Sequence, residues 1–335
     1  MPLSREAIQS SGTISPTCTA AVAANPISVT GTDILSFRAS RAEHLKALRH
    51  LYPIPGPIPE QVVETDHQVP VRDGSKIAVR VYEPKYKREG GSPLILAYHE
   101  GGWSMGDLTD EEMNCRMWTR DLGAVCINVE YRLAPEHPFP TAITDSWDAL
   151  LWAISHAQSF NANLSLGLIV EGASAGGNIA AVMAHMARDA KLEPPVTGQY
   201  LCAPAVLHPT GVPEQYRDEY WSREGAESDP VLKKNAIDGI LAAYNPDPTS
   251  WLWEPFNHPA GHIGVAKAYI QIGGIDPLRD ETLLYERELL ASGVETKLDL
   301  YAGYGHMFHA NFPTMQRSRQ FWGDMLEGMR WLLER

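Results

Sequence analysis

The stretch Leu168-Ile169-Val170-Glu171-Gly172-Ala173-Ser174-Ala175-Gly176-Gly177-Asn178-Ile179-Ala180 constrains this chain more than any other. An apolar run with strand character enters Gly172, and an alanine-rich run with helical character leaves Gly176, so Ser174 stands where a strand turns sharply into a helix. A serine on so tight a turn is held in a strained backbone conformation, with the chain before and after it passing very close. The small residues at 172, 173, 175 and 176 permit that approach. The spacing is that of a nucleophile elbow. G-x-S-x-G also occurs as an ordinary turn in glycine-rich chains; the strand before it and the helix after it favour the elbow. The N-terminal amides of that helix point toward the serine and favour negative charge there.

The remaining pattern alternates in type. It predicts strands over 61–71, 77–83, 94–99, 124–130, 168–171, 198–203, 268–272 and 296–301, and helices over 111–122, 142–156, 175–190, 281–292 and 314–333. Strands alternating with helices of this length make an α/β fold, a mostly parallel central sheet covered by helices on both faces. With 335 residues, 44% of them hydrophobic, the chain has enough apolar surface for a large core. Residues 1–30 are rich in Ser, Thr, Ala and Pro without a period and are expected to drape over the surface. Asp33 is placed to cap a helix running to about residue 50, ended by the proline-rich 53–59.

Residues 205–255 interrupt the alternation with dense Pro, Trp and charge and with short helical patterns at 214–222 and 229–244. A surface excursion is one reading; the other is a cap, formed with the N-terminal helix over the strand ends where such sheets bind ligands. The expected organisation is an N-terminal segment and cap helix (1–60), a core in two parts (61–204 and 256–335) and a cap insertion (205–255).

A formal net charge of −13 argues against nucleic acid or an anionic membrane as partner. Cys18, Cys115, Cys126 and Cys202 are scattered without paired spacing, so they are expected to be reduced and buried rather than bridged or zinc-bound. There is no apolar run of about 18 residues for a membrane span, and no targeting segment is read at the N-terminus, which makes the cytoplasm the expected location. His258 and His262 are four apart, but Pro259 and Gly261 spoil a helical ligand pair. Neither a metal nor an organic cofactor is expected.

A serine nucleophile needs three further parts, and each can be sought at a strand end. In His99-Glu100-Gly101-Gly102-Trp103, after the strand 94–99, the two glycines let backbone amides approach a substrate oxygen. His306 lies just beyond the last strand, in Tyr304-Gly305-His306-Met307-Phe308, and is the candidate base; His309 is its competitor. Asp276, after the preceding strand, is the candidate to orient the imidazole, whereas Asp280 and Glu281 read as first-turn charges of the next helix. The order Ser, Asp, His along the chain is that of α/β-hydrolases.

On these motifs the chain resembles the hormone-sensitive lipase family of α/β-hydrolase-fold esterases over about residues 60–335. The matching segments are His99–Gly102 with Gly106, Tyr131-Arg132-Leu133-Ala134-Pro135-Glu136-His137-Pro138-Phe139-Pro140, Gly172–Asn178, Asp276–Glu281, and His306 with Phe308. The resemblance implies Ser174 as nucleophile, His306 as base, Asp276 as orienter, and the amides of Gly101, Gly102 and Ala175 as oxyanion donors. The segment 131–140 supplies neither nucleophile nor base and reads as structural, with Glu136 pairing locally. Two residues depart from the family pattern: Glu100 where it usually has Gly, and Ala173 where it often has Asp.

The expected activity is hydrolysis of carboxylic esters of small to medium acyl chains through an acyl-enzyme, with rate falling below roughly pH 6.5 as the base protonates. Glu100 and Trp103 are candidate contacts for the small-molecule ester. Two alternatives stay open: serine-dependent acyl transfer, cyclisation or thioester release on a biosynthetic intermediate, and a non-catalytic small-molecule receptor on the same scaffold. The C-terminal helix, with Phe321, Met325 and Leu332, packs either internally or against a second copy in a homodimer.

Overall fold

The structure, a computed structural model, describes residues 5–27, 29, 31 and 33–334. Eight strands form one sheet: β1 (Val62–Pro70), β2 (Lys76–Pro84), β3 (Leu94–Tyr98), β4 (Val125–Glu130), β5 (Leu168–Ala173), β6 (Gly198–Cys202), β7 (Lys267–Gly273) and β8 (Thr296–Tyr301), in the order β1-β2-β4-β3-β5-β6-β7-β8. The pairs β1–β2 and β2–β4 are antiparallel and all others parallel. Every residue of β3, β5 and β6 is buried, which is why these strands read as largely apolar or small runs, interrupted only by the buried Glu171 in β5 and Gln199 in β6. All eight strands predicted from the sequence are present, with ends shifted by one or two residues.

The helices are α1 (Arg5–Ser11), α2 (Pro16–Ala24), α3 (Ile34–Leu48), α4 (Leu108–Leu122), α5 (Thr141–His156), α6 (Ala175–Asp189), α7 (Lys234–Tyr244), α8 (Arg279–Ala291), α9 (Phe308–Asn311) and α10 (Gln316–Leu333). Alternate residues of β3 divide between two apolar clusters. Leu94, Leu96 and Tyr98 pack with α5, α6 and α8, whereas Ile95 and Ala97 pack with α4 and α10. The α10 face bearing Phe321, Met325 and Leu332 packs against the sheet of its own chain. All four cysteines are free and buried. Among the described residues no helix is long and apolar enough to cross a membrane.

Asp33 caps α3 as its sequence predicts: Oδ1 accepts from the amides of Leu35 (3.0 Å) and Ser36 (2.9 Å), and the Ser36 side chain returns a bond to the Asp33 amide. Two expectations need correction. The segment before α3 is not merely draped: it forms α1 and α2 and buries Ser11 and Cys18, while residues 1–4, 28 and 30 of the expected drape lie outside the described residues. Its apolar residues are mostly alanine and show no helical stripe, so periodicity gave no signal. In the 205–255 segment, the pattern at 214–222 is a 3-10 turn over Glu214–Glu219, and α7 begins only at Lys234, beyond Pro230.

The tightest crossing of the chain lies at the start of α6. A Cβ on Gly176 would run into the Tyr98 and His99 carbonyl oxygens, and one on Gly172 into the Gly176 backbone. Neither obstacle is a flexible side-chain end, so relief requires the sheet or the helix to move. Gly176→Ala is therefore expected to destabilise the protein by about 1–3 kcal/mol, read as a lower urea midpoint. Gly323→Ala, where a Cβ meets nothing within 4 Å, is expected to leave the midpoint unchanged or slightly raised.

Candidate active site

Ser174 joins β5 to α6 with φ 53° and ψ −114°, the strained turn that its neighbours' small side chains accommodate. Its amide donates to the Cys202 carbonyl at 2.8 Å, and its own carbonyl accepts from Asn178 (3.0 Å) and Ala205 (3.3 Å). The serine is thus pinned between two strand ends and the helix it starts. It is 8% exposed.

His306 lies in the loop between β8 and α9. With the proton on Nδ1 it donates to Asp276 Oδ2 at 2.8 Å, and Nε2 faces Ser174 Oγ at 3.1 Å. Asp276, wholly buried after β7, accepts the Leu278 amide on its other oxygen at 2.8 Å. The structure therefore brings all three residues singled out in the sequence into one line. A hydroxyl, an imidazole and a carboxylate so arranged can move a proton off the hydroxyl while the carboxylate steadies the resulting imidazolium. His309 stacks on Phe321 at 3.7 Å between ring centroids, and burial drives its pKa down to about 3. It does not reach the serine by any hydrogen bond.

A fourth residue joins this line from the 205–255 segment. Asp229, also wholly buried, accepts the His306 amide on Oδ2 at 2.6 Å and the amides of Val231 and Leu232 on Oδ1 at 2.7 and 2.8 Å. Burial pulls the His306 pKa down, but Asp276, then Asp229 and Glu100, outweigh it and leave the imidazole more basic than an ordinary histidine at 6.5. Burial and the Asp276 charge push Asp229 up to about 7, against the pull of His306.

The loop after β3 runs through three left-handed residues, Gly101 (φ 116°), Gly102 (φ 60°) and Trp103 (φ 53°). Among the described residues the N–H groups of Gly101, Gly102 and Ala175 meet no hydrogen-bond acceptor, so they are free to bind a ligand oxygen. The segment 131–140 braces this loop. Tyr131 donates to the His99 carbonyl (2.7 Å) and stacks on its ring, and the Ala134 amide donates to the Trp103 carbonyl (2.8 Å). Arg38 of α3 grips the Ser104 and Ala134 carbonyls and forms a fork with Glu136 at 2.9 and 2.7 Å. Glu136 therefore pairs with a helix 98 residues away, not locally.

Two cavities of about 50 and 80 Å³ adjoin Ser174. The smaller is lined by Trp103, Leu207, Ile237 and Trp253, with Arg223 among its polar residues; Trp103 stacks on Tyr244 of α7 at 4.4 Å. The larger is shared by His306, Glu100 and Arg41 with Phe37, Met105 and Ile240. Arg41 binds Glu100 Oε1 (2.7 Å) and Asp110 Oδ2 (3.0 Å). Burial lifts Glu100 to about 7 in spite of Arg41. Behind it a further small cavity holds buried Glu111 and Glu171, both raised well above the usual carboxyl range, first by burial and then by neighbouring carboxylates.

Asp280 and Glu281 do occupy the first turn of α8, yet both are buried and tie down the 205–255 segment. Asp280 accepts the Trp221 and Ser222 amides. Glu281 accepts the Val206 and Leu207 amides, the Tyr220 hydroxyl and the Arg223 guanidinium. His258 and His262 meet a third histidine, His185: His262 Nδ1 lies 3.0 Å from His185 Nε2, and His258 stacks on the same ring. Burial lowers His185 to about 3 and His262 to about 4. Among the described residues no group of His, Cys, Asp or Glu is arranged to hold a metal ion.

Sequence reasoning did not find Asp229, Arg41 or His185 as parts of these clusters. Asp229 lies 77 positions from His306, Arg41 59 from Glu100 and His185 77 from His262, and only the fold brings them together.

A family model described as alpha/beta hydrolase fold matches residues 95–310. The chain is 36% identical over 277 residues to an AB hydrolase superfamily protein of Schizosaccharomyces pombe, spanning 83% of this chain and 82% of that protein. It is 34% identical over 278 residues to carboxylesterase NlhH of Mycobacterium tuberculosis, spanning 82% of each. Among solved structures, vibralactone cyclase superposes with a TM-score of 0.91 at 31% identity, over 99% of this chain and 98% of that one. With its eight-stranded, mostly parallel sheet and these relatives, the chain belongs to the hormone-sensitive-lipase-like esterases of the α/β-hydrolase family and is an esterase-type hydrolase.

Proposed function

We propose that the protein cleaves carboxylic esters of small to medium acyl chains through a covalent acyl-serine. The observation that carries this reading is the unbroken line Ser174 Oγ–His306–Asp276 at 3.1 and 2.8 Å, opening onto two cavities. Ser174 Oγ attacks the ester carbonyl carbon as His306 Nε2 takes its proton. The carbonyl oxygen gains the electron pair and is held by the amides of Gly101, Gly102 and Ala175. The carbonyl then re-forms, the alkoxide leaves, and His306 returns the proton to it. Water repeats the sequence on the acyl-serine and frees the acid.

In this reading residues 1–60 and 205–255 form a cap over a core of 61–204 and 256–335. Support comes from α3 and α7, which supply Phe37, Arg41 and Ile240 to the cavity walls. Glu100 and Trp103 contact the ester. The four unpaired cysteines suit a reducing compartment, the cytoplasm. One further reading has specific support: transfer of the acyl group to a hydroxyl of the substrate itself, closing a ring. It is favoured by the likeness to vibralactone cyclase over almost the whole chain. The bonded His306 speaks against a receptor without catalysis.

Ser174→Ala is expected to lower hydrolysis of p-nitrophenyl esters by about 10⁴-fold or more, as followed by phenol release; substantial residual turnover would discard Ser174. His306 must be neutral to accept a proton, and its pKa is raised, so kcat/KM should fall with acidification through a midpoint above 6.5, higher than the sequence alone predicts. A midpoint below 6.5 would count against this base in this environment. Asp229→Asn removes one of the carboxylates that hold His306 basic and leaves one amide contact unmatched. It is expected to shift that midpoint downward and to cost about tenfold or more in kcat at neutral pH.

A further inference from the structure

Glu100 forms part of the wall between the cavity that holds Ser174 and His306 and the internal cavity that holds Glu111 and Glu171. It is 6% exposed. Its Oε1 accepts from Arg41 Nη2 at 2.7 Å, while Oε2 accepts no hydrogen bond from the described residues. An ionised carboxylate has about four lone-pair sites and no donor. Oε2 is not among the buried atoms left without a partner, so it keeps accessible surface on which a donor can reach it.

The charges around Glu100 decide what can meet it. Arg41 is spent, since its Nη1 is on Asp110 Oδ2 at 3.0 Å, and Arg49 closes on the other Asp110 oxygen at 3.2 Å. With Glu100 ionised, as it is above about pH 7, two guanidiniums face two carboxylates and the cluster is neutral. A substrate carboxylate would approach Glu100, with Asp110 in the cavity behind it, and Arg41, the cation among the described lining residues, is already paired. A substrate ammonium would approach Arg41, which lines the same cavity. A neutral donor meets neither objection, and its bond to an ionised acceptor is stronger than one between neutral groups. Most other walls of the same cavity are apolar, among them Phe37, Leu45, Met105, Val231 and Ile240, and the polar Asn311 is bonded to His44 and the Met307 carbonyl.

We infer that this cavity takes a part of the ester that is apolar except for one hydroxyl, which donates to Glu100 Oε2 while Arg41 holds the carboxylate in place. The inference rests on reading Ser174 and His306 as the reacting pair, because that makes the bound group part of the ester. Glu100 is then a specificity residue: it selects hydroxylated esters over unsubstituted ones and rejects those that carry an acid.

Binding to the Ser174→Ala protein, which leaves esters intact, separates this inference from the chemistry. Two matched pairs place the hydroxyl on either side of the ester: 6-hydroxyhexyl butanoate with hexyl butanoate, and ethyl 3-hydroxyhexanoate with ethyl hexanoate. By competition NMR the hydroxylated member of one pair is expected to bind about tenfold more tightly than its partner. Glu100→Leu in the same background should erase that advantage, and Glu100→Gln, which keeps an acceptor oxygen without the charge, should retain part of it. Thermal melts establish that each variant is folded. Equal or weaker binding of the hydroxylated member in both pairs overturns the inference without recourse to any Glu100 variant. An advantage that survives Glu100→Leu in folded protein overturns it as well. Turnover of the same four esters by the unmodified protein tests the esterase reading by itself, so a hydroxyl preference in binding without cleavage would remove that reading alone.

Discussion

The backbone of α6 meets the end of β3 at Gly176, closely enough that a single methyl group would strike the Tyr98 and His99 carbonyls. This crossing sets the separation between the serine turn and the glycine loop, because both are continuations of the strands that touch there. Ser174 leaves β5 and Glu100–Trp103 leave β3, its parallel neighbour in the sheet. The relation between a candidate nucleophile and the amides of Gly101, Gly102 and Ala175 therefore rests on main-chain packing and not on flexible side chains. Preorganisation of that kind costs little at the moment of reaction.

Residues 205–255 are attached by different means. Glu281, Asp280 and Asp229 each present a buried carboxylate to several amides or side-chain donors, and between them they fasten residues 206, 207, 220–223, 231 and 232. A carboxylate that gathers many donors suits a stretch with little regular structure, since its backbone groups still need partners. Asp229 also holds the His306 amide. The two residues that follow Pro230, Val231 and Leu232, line the cavity beside Ser174, so one side chain links the cavity wall to the imidazole loop.

The fully buried β3, β5 and β6 betray themselves as short, largely apolar runs between turn residues, whereas β1, β2 and β8 are partly exposed and were legible from strand-forming residues bounded by turn signals. The line Ser174, Asp276, His306 was legible for a related reason: each sits just past a strand, and in a parallel sheet those ends converge. What could not be read were pairings between distant segments. Arg41 shows only as one charge on the helix face of α3, and nothing nearby hints at Glu100. Asp229 precedes a proline and resembles any turn aspartate. The alanine-rich α2 lacks a stripe because alanine is accepted on every face, so its burial of Cys18 left no periodic trace. Glu136 was expected to pair locally; its partner, Arg38, comes from a segment that the sheet does not include.

The buried histidines and buried acids pull folding stability in opposite directions along the pH scale. His185, His262 and His309 stay neutral in the fold, so as pH falls below about 6.5 the unfolded chain binds protons that the native state refuses, and stability declines. Glu100, Glu111, Glu171 and Asp229 hold their protons longer in the fold than out of it. Above the ordinary carboxyl range, stability falls as pH rises toward their raised values, because the unfolded chain ionises first. Between the ordinary carboxyl range and about pH 6.5 both sets weigh on the fold at once, whereas a neutral His306 requires a pH above its raised value. Two of the carboxylates that make His306 basic, Asp229 and Glu100, are thus among the groups that weigh on the fold as pH rises toward the range where the imidazole is ready to accept a proton.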